Sequence, residues 1–230
     1  MSTRPNSNLT WRSASSRRLD AERLGNRGDL RALALDRGGE LLCSAAARRL
    51  RSRIELVVDL LGVGDRDHVT GSDSTEVTLV EYGDFGCPYC FAASVPVKSL
   101  LDRFETLRLV WRHFPDAELH PGTDLAAELS ELAAVHGRFW EAHSLLLAGR
   151  ERFTHEDLLS VARRLELDED EAETALGQRT FRERVLEDVA GGGEAGVHGT
   201  PTFFVNGERL AGHWRQLAQI IPAKIAESAR

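Results

Sequence analysis

A chain of 230 residues with 42 % hydrophobic and 28 % charged residues has the composition of a soluble globular protein: one large domain, or one domain with an appendage. It holds no apolar run of about 18 residues, which excludes a membrane-spanning helix, and three cysteines are too few for a disulfide-stapled secreted scaffold. A net charge of −7 argues against nucleic acid as the main partner, and the polar, Arg-rich stretch Met1 to Asp20 is unlike a signal peptide, so a cytoplasmic location is expected.

The charge is uneven along the chain. Residues 1–64 carry 12 Arg against 7 acidic residues, a net +5, which leaves −12 for residues 65–230. The basic arm reads as a poorly ordered leader, the usual habit of polar termini, with an anionic partner as the alternative. Within it Ile54, Val57, Val58 and Leu61 recur at i, i+3, i+4 and i+7, which predicts a short amphipathic helix over Arg51 to Leu61, ended by Gly62-Val63-Gly64. Its stripe is expected to dock on the following domain or on a partner.

From Gly71 onward an α/β pattern takes over. Val77 to Tyr82 is a β-rich run closed by Gly83 and Asp84. Cys87-Pro88-Tyr89-Cys90 then opens a helix to about Phe104, with Pro88 suited to its first turn and a kink expected at Pro96. Leu107 to Arg112 reads as a second strand, parallel to the first by the right-handed crossover rule. A long helical stretch follows: Leu125, Leu129, Leu132 and His136 mark one face, and Leu158, Val161, Ala162 and Leu165 another, the second introduced by a Thr154/Asp157 capping box. One further helix is expected from about Asp170 to Val189, with Gly191-Gly192-Gly193 as a linker. Thr202 to Val205, Asn206-Gly207 and Glu208 to Leu210 spell a hairpin, and a helix carrying Leu217, Ile220, Ile221 and Ile225 ends the chain, its length left open by Pro222.

The chemistry sits at Cys87 and Cys90. A Cys at a helix N-terminus faces unpaired backbone N–H groups and the positive end of the helix dipole, both of which favour a thiolate. A second Cys one turn later can resolve a mixed disulfide formed at the first. Half of a zinc site is the competing reading, but no second Cys-x-x-Cys and no well-spaced His pair supplies the missing ligands. Two inert thiols leave Pro88 unexplained, and a purely structural disulfide closes too small a loop to stabilise much.

Three separated segments carry a family resemblance. Glu81-Tyr-Gly-Asp-Phe-Gly-Cys-Pro-Tyr-Cys90 resembles the active-site strand and turn of the thioredoxin superfamily. Phe139-Trp140 with His143 is similar to a helix of the insertion in its bacterial DsbA-like disulfide oxidoreductases, and Gly196 to Gly207 to their Thr–cis-Pro segment and hairpin. Over about residues 66–228 the resemblance implies a thioredoxin-like α/β fold with an α-helical insertion at about 121–193. The stretch Asp65 to Gly71 is similar, more narrowly, to the thioredoxin-like domain appended to some bacterial sodium/proton antiporters. Gly86 departs from the pattern, since many relatives have an acidic or polar residue there. Losing a negative neighbour favours a Cys87 thiolate.

The resemblance implies Cys87 as the attacking thiol, Cys90 as the buried resolving thiol, and Glu81 as an acid beneath the pair that exchanges the Cys90 proton. The alternative for Glu81 is a solvated strand residue. It implies a cis bond at Pro201, a Thr200 backbone able to pair with an extended substrate, and Pro88 and Tyr89 as shapers of the turn. Trp111, Trp140 and Phe104 are expected to be core, and His136 and His143 satisfied or surface histidines rather than metal ligands. His198 could approach the thiols, and Cys43 is expected to be a spare thiol. No cofactor and no metal are called for. The implied activity is thiol–disulfide exchange on protein substrates or small thiols such as glutathione. A non-catalytic redox-sensing or binding module for a partner such as a membrane transporter is the main alternative. A glutathione-dependent isomerase or transferase, which does not need a second thiol, is the third.

Overall fold

The β-branched and apolar residues of Val77–Gly83 (β2) and Leu107–His113 (β3) favour extended chain, and both segments are strands, paired in parallel with Val77 opposite Leu107 and Gly83 opposite His113. The structure, a computed structural model, describes residues 61–73, 75–149 and 153–228. Residues 1–60, with most of the basic arm, Cys43 and nearly all of the expected Arg51–Leu61 helix, lie outside the described residues. Leu61 itself is 5 % exposed and belongs to the apolar cluster of Val80, Tyr82, Val110, Val197 and Phe204.

The described sheet has the order β1-β3-β2-β4-β5. His68–Gly71 (β1) runs antiparallel to β3, Thr202–Val205 (β4) antiparallel to β2, and Glu208–Arg209 (β5) antiparallel to β4. β1 escapes a reading by periodicity because four residues with two polar members carry no clear alternation. The hairpin turns at Asn206 and Gly207, with φ of 49° and 82°, the left-handed pair that a two-residue connection favours.

Alternation across the strands divides the core. Val77 and Leu79, Leu107, Leu109 and Trp111, and Phe203 and Val205 join Cys87, Cys90 and Val97 in the main cluster. Val80, Tyr82, Val110 and Phe204 join the second. Glu81 alternates with Val80 and Tyr82 and so lies on the side of the main cluster. Each fully buried Leu or Val here contributes about 1.5–3 kcal/mol by leaving water. Pro88–Arg103 (α1) makes the crossover between β2 and β3, and it continues through Pro96.

The described residues of the insertion form five helices: Thr123–Val135 (α2), Phe139–Gly149 (α3), His155–Arg164 (α4), Glu169–Gln178 (α5) and Arg182–Glu194 (α6). The Thr154/Asp157 capping box is formed. The single helix expected from Asp170 to Val189 is two. Arg179 adopts a left-handed backbone at φ 56° and its guanidinium reaches back to Glu128 and Asp124 of α2, at 2.7 Å each, which pins the break. Gly191-Gly192-Gly193 is not a linker but part of α6. A Cβ on Gly192 would meet Phe114 at 2.8 Å and Tyr82 at 2.9 Å, so the glycine lets α6 lie close against those rings. A 3-10 turn, Trp214–Gln216, leads into the last helix, Leu217–Ser228 (α7), which continues through Pro222.

Candidate active site

β2 delivers Asp84 to Gly86 as a turn, and α1 begins at Pro88 with Cys87 as its N-cap residue. Proline costs nothing at this position because its missing N–H would have no helical partner. The Cys87 N–H donates to Asp84 O at 3.1 Å, and Cys90 N–H to Cys87 O at 3.1 Å. Both cysteines are free thiols and buried, Cys87 at 4 % and Cys90 at 0 % exposure. Pro88 and Tyr89 between them face outward, Tyr89 at 62 % exposure.

The two thiols have opposite acidities. Cys87 is lowered to about 6, chiefly by the Cys90 thiol, which outweighs the opposing effect of burial; the Thr200 side chain and the N–H groups of Cys90 and Tyr89 add to the lowering. Cys90 is pushed well above the usual thiol range by burial first, and then by its hydrogen bond to Cys87 and the negative charges of Glu81 and Cys87. Outside the pair, the Asp84 N–H points at Cys90 Sγ at 3.4 Å. An acidic thiol at the helix start next to a fully buried, protonated one is the polarity that a nucleophile and its resolving partner require.

Across the turn lies the segment before β4. The Thr200–Pro201 bond is cis, and Cys87 Sγ is 3.3 Å from Thr200 O. Glu81 is 2 % exposed and its Oε1 has no hydrogen-bond partner among the described residues. Burial, and after it the Cys87 charge, raises its carboxyl well above the usual range. The solvated alternative for Glu81 therefore fails. His198 is exposed, and the described hydrogen bonds do not join it to the thiols.

Three residues that sequence reasoning missed stand beside the thiols. The Asp84 carboxylate, with no exposed side-chain surface, accepts from Gly86 N–H at 2.8 Å, His120 Nδ1 at 2.7 Å, Asp116 N–H at 3.1 Å and the Thr123 hydroxyl. Asp84 was visible in the sequence only as the end of a strand, and nothing in spacing links it to positions 36 and 39 residues away. Gly86 is required locally: a Cβ there would sit 2.4 Å from His120 Cβ.

The one group of described residues with metal-ligand spacing is His68, His113 and Glu131, whose ligand atoms lie within 4.8 Å of one another. Trp111 Nε1–H donates to His113 Nδ1 at 3.3 Å, which leaves the ring proton on Nε2, the atom that a metal would need. Nε2–H donates instead to Glu131 Oε1 at 3.0 Å, alongside His68 Nε2 at 2.8 Å, and Arg184 Nε stands 3.6 Å from the same oxygen. The chemistry of this donor set fits a hydrogen-bonded ion network better than a cation site. His143 nearby is 1 % exposed and lowered to about 3 by burial, then by His113 and His68, so it is neutral. Trp111 and Trp140 are core residues, as expected, while Phe104 is half-buried.

A parallel βαβ unit, an antiparallel hairpin after a cis-proline and a Cys-x-x-Cys at a helix start define a thioredoxin-like α/β protein with a helical insertion. Residues 64–222 match the thioredoxin family model, and the chain belongs to that family. Among solved structures it is similar to the thiol-disulfide exchange protein α-DsbA2 from Wolbachia pipientis (TM-score 0.64, 18 % identity, covering 80 % of this chain and 98 % of that one). A thioredoxin-like oxidoreductase from Silicibacter pomeroyi gives a TM-score of 0.61 at 25 % identity, over 75 % of this chain and 97 % of that one. Among curated proteins, the Na(+)/H(+) antiporter NhaA 1 of Salinispora arenicola is 46 % identical over 173 residues, which are 73 % of this chain and 26 % of the antiporter. The chain thus spans about a quarter of the length of the curated relatives it matches. No described helix is long and apolar enough to cross a membrane.

Proposed function

We infer that the chain is a thiol–disulfide oxidoreductase. The Cys87 thiolate attacks one sulfur of a substrate disulfide and expels the other as a thiolate. Cys90, deprotonated as it reacts, then attacks Cys87 Sγ, releases the second substrate thiol and leaves a Cys87–Cys90 disulfide. Running backwards, the same steps oxidise a substrate dithiol. Glu81, buried beneath the pair with its carboxyl raised well above the usual range, takes the Cys90 proton as a carboxylate in one direction and returns it as the acid in the other. The Thr200 backbone, beside Cys87, pairs with an extended substrate chain.

The observation that carries this reading is the split between the two sulfurs: Cys87 lowered to about 6 and Cys90 raised well above the usual range, one helical turn apart. The test is reduction of insulin or of a glutathione-linked disulfide. Wild type turns over, and Cys87→Ser does not; equal rates for the two would overturn the assignment.

As part of this proposal the chain works in the cytoplasm, on protein substrates or glutathione, as a reductase or isomerase. Its three cysteines suit a reducing compartment. A second reading follows from the antiporter relatives: the face around Cys87 binds a membrane transporter, and the thiols report redox state to it. Trapping with Cys90→Ala separates the two, because exchange leaves a covalent mixed disulfide and a binding module leaves only non-covalent capture.

A further inference from the structure

We propose that Asp84, His120 and Thr123 form a positioning unit that fixes the cysteine turn to the helical insertion and thereby sets the reactivity of Cys87. This deepens the thiol–disulfide reading and rests on it.

The argument begins with what the turn itself needs. The bond from Gly86 N–H to Asp84 Oδ1, at 2.8 Å, is an Asx-turn, which stabilises a local reversal without help from elsewhere. The carboxylate goes on to accept from the Asp116 N–H, His120 Nδ1 and the Thr123 hydroxyl, 32, 36 and 39 residues away. Those bonds contribute nothing to the turn as a turn. They fill the acceptor sites of a carboxylate, and they tie it to the loop before α2 and to the first residue of that helix. Thr123 Oγ1 also accepts from Gly86 N–H, at 3.1 Å, so the same amide is held from both sides.

The backbone of Asp84 carries this fixation to both sulfurs. Its N–H points at Cys90 Sγ at 3.4 Å, and its carbonyl accepts the Cys87 N–H at 3.1 Å. His120 packs directly on Gly86, the residue before Cys87, so closely that no side chain fits there. Of the groups that stabilise the Cys87 thiolate, the Cys90 thiol and the N–H groups of Cys90 and Tyr89 belong to the turn and first helical residues that this unit holds; the Thr200 side chain acts from the opposite side. Burying a carboxylate with no Lys or Arg among its hydrogen-bond partners is expensive. The bonds to the insertion return that cost only while the insertion keeps its place.

The test compares paired variants of the full chain that keep the Asp84 charge. His120→Leu keeps bulk on Gly86 and removes the donor; His120→Asn restores an N–H donor near the position of Nδ1. Thr123→Val removes the hydroxyl, and Thr123→Ser restores it. The readout is the rate of Cys87 alkylation by iodoacetamide against pH, with folding followed by circular dichroism and exchange followed with a small disulfide. His120→Leu and Thr123→Val are expected to raise the midpoint from about 6 by roughly half to one pH unit, the order of one lost charge-assisted hydrogen bond. Alkylation at about pH 5.5 then slows roughly three- to eight-fold, and the Asn and Ser variants return to wild type. Folded Leu and Val variants with an unshifted midpoint, or Asn and Ser variants shifted as far as Leu and Val, would overturn the proposal. If one pair fails to fold, the other pair decides by the same criteria. Variants that shift as expected beside a wild type that exchanges no disulfide sink the oxidoreductase reading and leave the positioning unit standing.

Discussion

Cys87 Sγ lies 3.3 Å from the carbonyl oxygen of Thr200, 113 residues further along the chain. The Thr200 side chain is also one of the groups that lower the Cys87 thiol, behind Cys90. Thr200→Val keeps the shape and removes the hydroxyl. The thiolate midpoint is expected to rise by about half to one pH unit, the worth of one modest hydrogen bond, read from ultraviolet thiolate absorbance against pH.

Cys90→Ala removes the largest stabiliser of the Cys87 thiolate. The Cys87 midpoint is then expected to move up by roughly one to two units, although the variant still attacks disulfides at alkaline pH. The same linkage appears in stability. A thiol whose folded value lies below its unfolded one stabilises the reduced protein above the unfolded value, and the gain is lost as pH falls through about 6. Urea denaturation of reduced wild type against Cys87→Ser should show wild type gaining relative stability between about pH 6 and about pH 9.

Glu81→Gln is a near-isosteric, uncharged replacement for a carboxyl that burial pushes well above its usual range. A raised folded value works against stability as pH climbs past the unfolded carboxyl range, so the variant should become more stable than wild type as pH rises toward neutrality and above. Attack by Cys87 is expected to be preserved and resolution by Cys90 to slow on the order of 10²-fold. Stopped-flow separation of the two steps checks this.

Glu131 joins three elements, since His68 lies on β1, His113 on β3 and Arg184 on α6. Burial opposes its charge, but hydrogen bonds from His113 and His68 hold the carboxyl below its usual range. Its contribution is therefore present above the unfolded carboxyl value and lost as pH falls through the lower folded one. Glu131→Ala, which orphans the buried partners, should destabilise the fold by about 3–5 kcal/mol. Thermal melts should show zinc or a chelator leaving wild type unchanged, because the His113 proton stands where a metal would bind.

The parallel pairing of β2 with β3, the hairpin turn and the helix start at Pro88 were legible from local patterns, whereas β1 was not. The position of Glu81 came from the family resemblance, with a solvated residue as the alternative, because its burial depends on what packs above it. The break at Arg179 was hidden because its cause lies in Asp124 and Glu128, some 50 residues earlier. Gly192 read as a linker because a glycine that admits Tyr82 and Phe114 looks, in sequence, like one that merely bends. Asp84, His120 and Thr123 share no spacing at all. Only the fold brings a strand end and a helix start together.

The most direct test of the central claim is intact-mass and peptide-mapping analysis after mixing reduced protein, in a Cys43→Ser background, with oxidised glutathione. Cys90→Ala should accumulate a glutathione adduct on Cys87, wild type should pass through it to a Cys87–Cys90 disulfide, and Cys87→Ser should form neither. An adduct that persists as long in wild type as in Cys90→Ala, or that forms equally in Cys87→Ser, would contradict exchange through this pair.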